Sequence, residues 1–496
     1  MKRALSGQSD KKPGALVRGL RGLAILSLWQ AAACGGQPDQ PSVLLVIIDT
    51  LRADKLGTYG EQQGLTPYID AFAEQGVVFE NASSHAPWTL PATASLLTSL
   101  YPLQHGAGGF LPNFTALDPQ VRTLASVFRE RGYVTGAIVN VAFLDRTFGL
   151  TREFEHLDAQ HFESNLKVRS AQDTTDAALA WLAERGDEPF FLLVHYFDTH
   201  AVYDPPQPFR RRFAAAQDRE SGDHIFGTRE QMIRLRAGQL EINRHIIKRA
   251  EKLYDGEVAY TDGQVGRLFD GLSELGLAGD TLQVLTSDHG EEFWDHGGFE
   301  HGHTLYSELT HIPLIMRFDG RLEPGRVSAG VGHVDVGPTL CELTDIAAPE
   351  QFTGHSLVPL VRAAGVGAVE HRSVLAHGNF WGPPLSSWRE GADKLILSAP
   401  GGTGAHESSG APELTGTPGA AQLFSWLEDR REQRDRAPAE AGRVEELTDN
   451  LRAAELLLQR QYSAPGARVE LSDAEREVLR GLGYVGDDGA GGEAGD

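Results

Sequence analysis

Apolar and polar positions along the chain alternate between two patterns. One is a short continuous apolar run: "VLLVIID" over 43–49, "YVTGAIVNV" from Tyr133, "PFFLLVHYF" from Pro189 and "TLQVLTS" from Thr281. A strand needs such a run, with no polar face, when both faces of a parallel sheet are covered. Between these runs lie segments such as "TTDAALAWLAERG" (174–186), whose apolar residues recur at helical spacing. "TPYIDAFAEQG" (66–76) predicts a further helix, with Thr66 as N-cap, Pro67 at the first helical position and Gly76 as stop. Strands alternating with helices predict an α/β fold around a mainly parallel sheet. No internal repeat interrupts this order. A stretch rich in Gly, Pro, Ser and Thr at 400–421 predicts a disordered insertion, and the Gly/Asp tail reads the same way.

Chemistry enters where the apolar runs end. Asp49 closes the first, Asp198 and His200 follow the third, and Asp288 with His289 follows the fourth. In open α/β sheets the carboxyl ends of the strands border the ligand crevice, so these residues should converge. Carboxylate and imidazole groups gathered in this way suit a divalent ion: Zn²⁺, Mn²⁺, Ca²⁺ or Mg²⁺, one ion or two. Taken singly, Asp49 or Asp288 could cap a following helix, and His200 could lie on a surface loop. The segment "SDHGEEFWDHGGFEHGH" (287–303) resists such a reading. It adds His296, His301 and His303, with Glu291, Glu292 and Asp295, and is poor core material and a costly loop without a ligand.

Composition narrows the partners. The 496 residues carry a net charge of −23, and the basic residues form no long cluster beyond the N-terminus, which argues against a nucleic-acid surface. The N-terminal "MKRALSGQSDKKPGALVRGLRGLAILSLWQAAACGG" has a basic flank, an apolar stretch too short to span a bilayer, and small residues ending at Cys34. It reads as a lipoprotein-type signal over 1–33, with Cys34 as the acylated residue and 34–41 as tether; cleavage and plain secretion is the alternative. The implied location is outside the cytoplasm, in the periplasm or at the cell surface, membrane-bound by the lipid anchor only. Cys341 is then the remaining cysteine, so no intramolecular disulfide forms, and it reads as a core residue.

Six stretches together resemble the ordered motifs of the sulfatase family within the alkaline phosphatase superfamily. They are "VLLVIIDTLRADKLGTYG", "LTPYIDAFAEQGVVFENA", "TLPATASLLTSLYP", "PFFLLVHYFDTHAVYDPP", "LTSDHGEEFWDHG" and "HGHTLYSELTHIPLIMR". The resemblance implies a large α/β domain with a mixed, mostly parallel sheet between helices (42–360). A smaller C-terminal α+β domain with a short antiparallel sheet (361–485) and a disordered tail (486–496) follow. It also implies an ester hydrolase whose metal is held by Asp49, Asp288, His289 and the nucleophile position, Thr89. His200 then contacts the substrate and His301 or His303 serves its leaving group, while Asp198, His200, His296 and Thr50 are candidates for a second metal or for substrate contact.

The departures from the family bear on the reaction. Thr50 replaces the usual second Asp, and Thr93 replaces the usual Arg. Where sulfatases carry a cysteine or serine that is oxidised to formylglycine, this chain has Thr89. Oxidation of threonine at Cβ gives a ketone, so the aldehyde hydrate cannot form. Threonine is the nucleophile in related phosphodiesterases and phosphotransferases, and Thr89 at the start of "LPATASLLTSL" would have a helix N-terminus and a metal to activate it. The same residue could serve merely as an N-cap. These features imply a small anionic ester or a glycan or lipid-headgroup ester as substrate, with phosphate favoured by chemistry and sulfate by overall likeness. A catalytically impaired anion- or glycan-binding lipoprotein is the alternative class. Arg52 and Asp54 read as a structural pair beside the first strand.

Overall fold

The computed structural model describes residues 40–109, 113–160, 169–186, 188–213, 225–236, 239–363, 372–378, 380, 383–398 and 420–481. The predicted signal and tail lie outside these residues, as does the predicted insertion apart from Ala420 and Ala421. Ala421 opens a strand rather than ending a loop.

The apolar runs form an eight-stranded sheet in the order 325–332, 77–83, 314–317, 281–286, 42–48, 190–196, 134–139, 156–159. Leu314–Arg317 runs antiparallel to both neighbours and every other pairing is parallel. Side-chain alternation gives each central strand two buried faces. Val43, Leu45 and Ile47 join Phe191 and Leu193 on one side, while Leu44, Val46 and Ile48 join Leu192, Val194 and Tyr196 on the other. The first face receives the helix Thr89–Thr98 through Leu90, Ala94, Leu96 and Leu97. The second receives the helices Ala171–Ala183 and Arg244–Glu274 through residues such as Trp181, Leu253, Val258 and Leu268.

A second sheet of four antiparallel strands, Val374–His377, Leu385–Glu390, Asp393–Ser398 and Ala421–Ser425, is covered by the helix Ala441–Gln461. Leu447 of that helix packs on Leu395 and Leu423. The fold expected from the sequence, a large mixed sheet and a small antiparallel one, is present. Among the described residues no helix is long and apolar enough to cross a membrane.

Local signals behaved as the sequence predicts, with one difference. The helix Pro67–Ala73 starts with Pro67 at its first position, but Thr66 makes no side-chain cap. Its hydroxyl accepts from Gly57 N at 3.1 Å instead, tying the preceding loop to the helix.

The loop after the first strand is pinned from below. Buried Tyr254, in the helix Arg244–Glu274, donates to Thr50 O at 2.8 Å and accepts from Arg52 N at 3.0 Å. Thr50 sits at φ +54°, a left-handed conformation that a non-glycine residue holds only when its surroundings fix it. Tyr254→Phe should therefore destabilise the protein by about 1–3 kcal/mol, because two buried backbone groups lose their partner. Urea unfolding of the variant beside wild type measures this.

Candidate functional site

Sheet register brings the site together. Ile47 pairs with Thr286 on one side and with His195 on the other. Asp49 therefore leaves its strand level with Asp288, and His195 projects from the adjacent strand on the same face as Ile47. One ligand atom each of Asp49, His195 and Asp288 lies within 4.8 Å of the others, all three residues being buried. His195 Nε2 is 3.3 Å from Asp49 Oδ2.

His289 and Thr89 complete the cluster. His289 Nε2 stands 3.4 Å from Asp288 Oδ2, 3.7 Å from Asp49 Oδ1 and 3.3 Å from Thr89 Oγ1. Thr89 is the first residue of its helix, and Trp88, not Thr89, is the N-cap. The threonine hydroxyl is thus turned to the cluster rather than to its own helix. All ten residues of that helix are buried, which fixes the hydroxyl's position from every side.

The donor set fits a cation. Both Asp49 carboxylate oxygens, Asp288 Oδ2 and both ring nitrogens of His195 are buried without a hydrogen-bond partner. Buried polar atoms are normally paired, so five such atoms at one point mark a place for an ion. Burial, and then the neighbouring Asp288, push Asp49 well above the usual carboxylate range. Burial holds His195 down to about 4, so its imidazole is neutral at neutral pH, as a ligand must be.

Neighbouring groups hold these side chains in place. Asp288 Oδ1 accepts from Thr50 N at 3.2 Å and from His289 N at 2.9 Å. His289 Nδ1 faces Gly290 O at 2.9 Å, which leaves Nε2 toward Thr89. Leu51 N donates to Ser287 Oγ at 2.9 Å, and His333 Nε2 reaches Ser287 O at 2.8 Å. Asn140 donates to the carbonyl of His195 and is itself held by Arg169 Nε at 2.8 Å.

The remaining histidines divide into two groups. His301 lies over the cluster, its ring centroid 4.5 Å from that of His289 and 4.9 Å from that of His200. Its Nδ1 is 2.8 Å from Glu291 Oε1, whose other oxygen accepts from Tyr203 OH at 2.8 Å. His200 stacks on Phe197 at 4.5 Å and faces Ala201 O through Nδ1 at 2.6 Å. Burial lowers its pKa to about 4. His303 and His296 turn elsewhere. His303 Nε2 meets Glu292 at 2.7 Å, and His296 lies between Glu308 (2.6 Å) and Glu432 O (3.0 Å), stacked 3.6 Å from Tyr306.

Two further sequence candidates stand apart from the cluster. Asp198 Oδ1 accepts from Ala171 N at 3.0 Å, at the start of the helix Ala171–Ala183, and burial raises its pKa to about 7. Thr50 turns its hydroxyl to Thr199 O at 2.7 Å and contributes its amide, not its side chain, to Asp288. His195 was not among the sequence candidates, although a lone histidine inside the apolar run "PFFLLVHYF" was its signal. Arg52 pairs with Asp54 at 2.8 Å as expected, and also with Asp295 at 2.9 Å.

Comparison with known proteins agrees with this architecture. The family model described as Sulfatase matches residues 41–346. An arylsulfatase of Clostridium perfringens is 25% identical over 385 residues, covering 65% of this chain and 78% of its own. Among solved structures, the phosphonate monoester hydrolase of Agrobacterium radiobacter superposes with a TM-score of 0.63 at 20% identity, covering 84% of this chain and 96% of its own. A structure in complex with its substrate D-glucosamine-2-N,6-O-disulfate superposes with a TM-score of 0.64 at 18% identity, covering 85% and 98%. With the family model spanning more than half of its length, the chain belongs to the sulfatase family of ester hydrolases.

Proposed function

We propose that the protein is a metal-dependent hydrolase of phosphate esters in which the Thr89 hydroxyl is the nucleophile. The observation that carries this reading is Thr89 Oγ1, 3.3 Å from His289 Nε2, beside the unpartnered oxygens of Asp49 and Asp288. A divalent ion held by Asp49, Asp288 and His195, with His289 and Thr89 beside them, would supply the positive charge that lowers the hydroxyl's pKa and steadies an anionic ester. Two imidazoles among the donors favour Zn²⁺ over Ca²⁺ or Mg²⁺.

The chain's own groups account for the rest. Thr89 opens a ten-residue helix, so the positive end of the helix dipole acts on its oxygen. Thr89 gives up its proton to solvent, its oxygen bonds to phosphorus, and the ester P–O bond opposite breaks. His301, with Nδ1 held by Glu291, has Nε2 to deliver a proton to the departing oxygen. Neutral His200 contacts the remaining ester oxygens. Water passes a proton to His301 as it attacks phosphorus, the bond to Thr89 breaks, and the Thr89 oxygen takes a proton back from solvent. A sulfo-threonine has no comparable exit, because formylglycine releases sulfate by elimination through a second hydroxyl that threonine lacks. The arylsulfatase likeness favours a sulfate ester, so the assay includes both classes.

Thr89→Ala should lower turnover of aryl phosphates, phosphodiesters or phosphonates by at least ~10³, about 4 kcal/mol of barrier. A panel that includes aryl sulfates, run with Zn²⁺, Mn²⁺ and Ca²⁺, measures this. Near-full activity of the variant would make water the attacking group, and turnover of sulfates alone would reverse the choice of ester.

Asp49→Asn removes one of two adjacent buried carboxylates. Protein stripped with chelator should then melt higher than wild type treated alike, by roughly 1 kcal/mol or more of stability, and should gain little when Zn²⁺ is added. Wild type should lose activity with chelator and regain it with metal. Calorimetry with and without metal reads both effects.

For location, Cys34 is read as a lipid attachment site. Labelled fatty acid should be incorporated into wild type and not into Cys34→Ser, whose precursor stays uncleaved or whose product stays unlipidated; equal labelling of the two, or none in wild type, would exclude the anchor.

A further inference from the structure

Away from the reaction centre, the small sheet buries an unusual set of charges. Strands Leu385–Glu390 and Asp393–Ser398 place Arg389 directly opposite Lys394. Both are buried, at 5% and 3% exposure. Like charges facing each other across two strands destabilise a sheet, and burial raises the cost. A third cation, on the exposed Arg430, lies with them against one ring. The Trp426 ring has the Arg389 guanidinium at 4.4 Å, the Arg430 guanidinium at 5.1 Å and Lys394 Nζ at 5.6 Å.

Negative charge is scarce at this point. Glu432 meets Lys394 at 2.8 Å. The other nearby acids are engaged: Glu308 with His296 at 2.6 Å, and Glu80 with Arg326 at 2.7 Å. The guanidinium of Arg389 donates from Nη2 to Asn81 O at 2.6 Å, whereas Nη1 is buried with no partner. Burial, then Arg430, lowers the pKa of Arg389 to about 9, which still leaves it charged at neutral pH.

Arg389 and Lys394 line a small pocket whose other walls include Ser83, Ser84, Thr310 and Ser387. Its volume, about 10 Å³, has room for one water-sized body. Water would satisfy the Nη1 hydrogens but leave the excess positive charge. A monatomic anion does both and suits a space of that size.

We propose that this pocket binds a halide ion, chloride under ordinary conditions, held by Arg389 and Lys394 within walls that include Ser83 and Ser387. The ion joins the small sheet to the edge of the large one, since Ser83, Ser84 and Asn81 belong to the strand Val77–Ser83 and the turn after it. This inference is independent of the reaction assigned to Thr89.

Crystals of the full chain soaked in sodium bromide test it through anomalous scattering. A bromide peak between Arg389 and Lys394 is expected; absence of that peak overturns the proposal and leaves the pocket to water. In solution, wild type should melt about 2 °C or more higher in sodium chloride than in sodium gluconate of equal ionic strength. Arg389→Gln should lose that increment, whatever its own melting temperature. An undiminished increment in Arg389→Gln would contradict the assignment.

Discussion

Asp49 and Asp288 leave adjacent parallel strands side by side, and neither has solvent to share the charge. Burial and mutual repulsion push Asp49 far from its usual range. A pair of buried carboxylates with three unpartnered oxygens would weaken the middle of the sheet unless a cation offsets them. The surroundings are arranged around that requirement. Tyr254 pins the first loop, the amides of Thr50 and His289 fix one oxygen of Asp288, and Asn140 fixes the end of the strand that carries His195.

The same requirement bears on the role proposed for Thr89. Its helix is buried all round, and its hydroxyl approaches the cluster as one more donor. Above it, the rings of His301 and His200 meet at 4.9 Å, and Glu291 fixes the orientation of His301. His296 and His303 complete the other half of the division. Paired with Glu308 and Glu292, they build the loop's scaffold, and His296 reaches the small sheet's flank through Glu432. A single histidine-rich segment thus carries both groups that face the buried cluster and structural ion pairs.

Much of this was legible in the sequence, for physical reasons that can be named. Strands buried on both faces leave continuous apolar runs, so the large sheet and the convergence of Asp49, Asp288 and His289 followed from where those runs end. His195 escaped because its signal was one polar residue inside such a run, and only the register with Ile47 places it beside Asp49. Asp198 and Thr50 were drawn into the candidate site by their position after a strand. Spacing does not fix where a side chain turns, and these two turn to Ala171 N and Thr199 O. Thr89 showed the reverse: its place at a helix start suggested a cap, yet Trp88 takes that role. The opposed pair Arg389 and Lys394 was invisible until the hairpin between them was aligned.

The central claim is that Thr89 itself bonds to the transferred group. The most direct measurement is mass spectrometry of the peptide containing Thr89 after rapid acid quenching during turnover of an aryl phosphate. The account predicts a phosphoryl adduct on Thr89 that appears with substrate and decays as substrate is consumed. Active enzyme with an unmodified Thr89 at every time point, or an adduct on another residue, would contradict it.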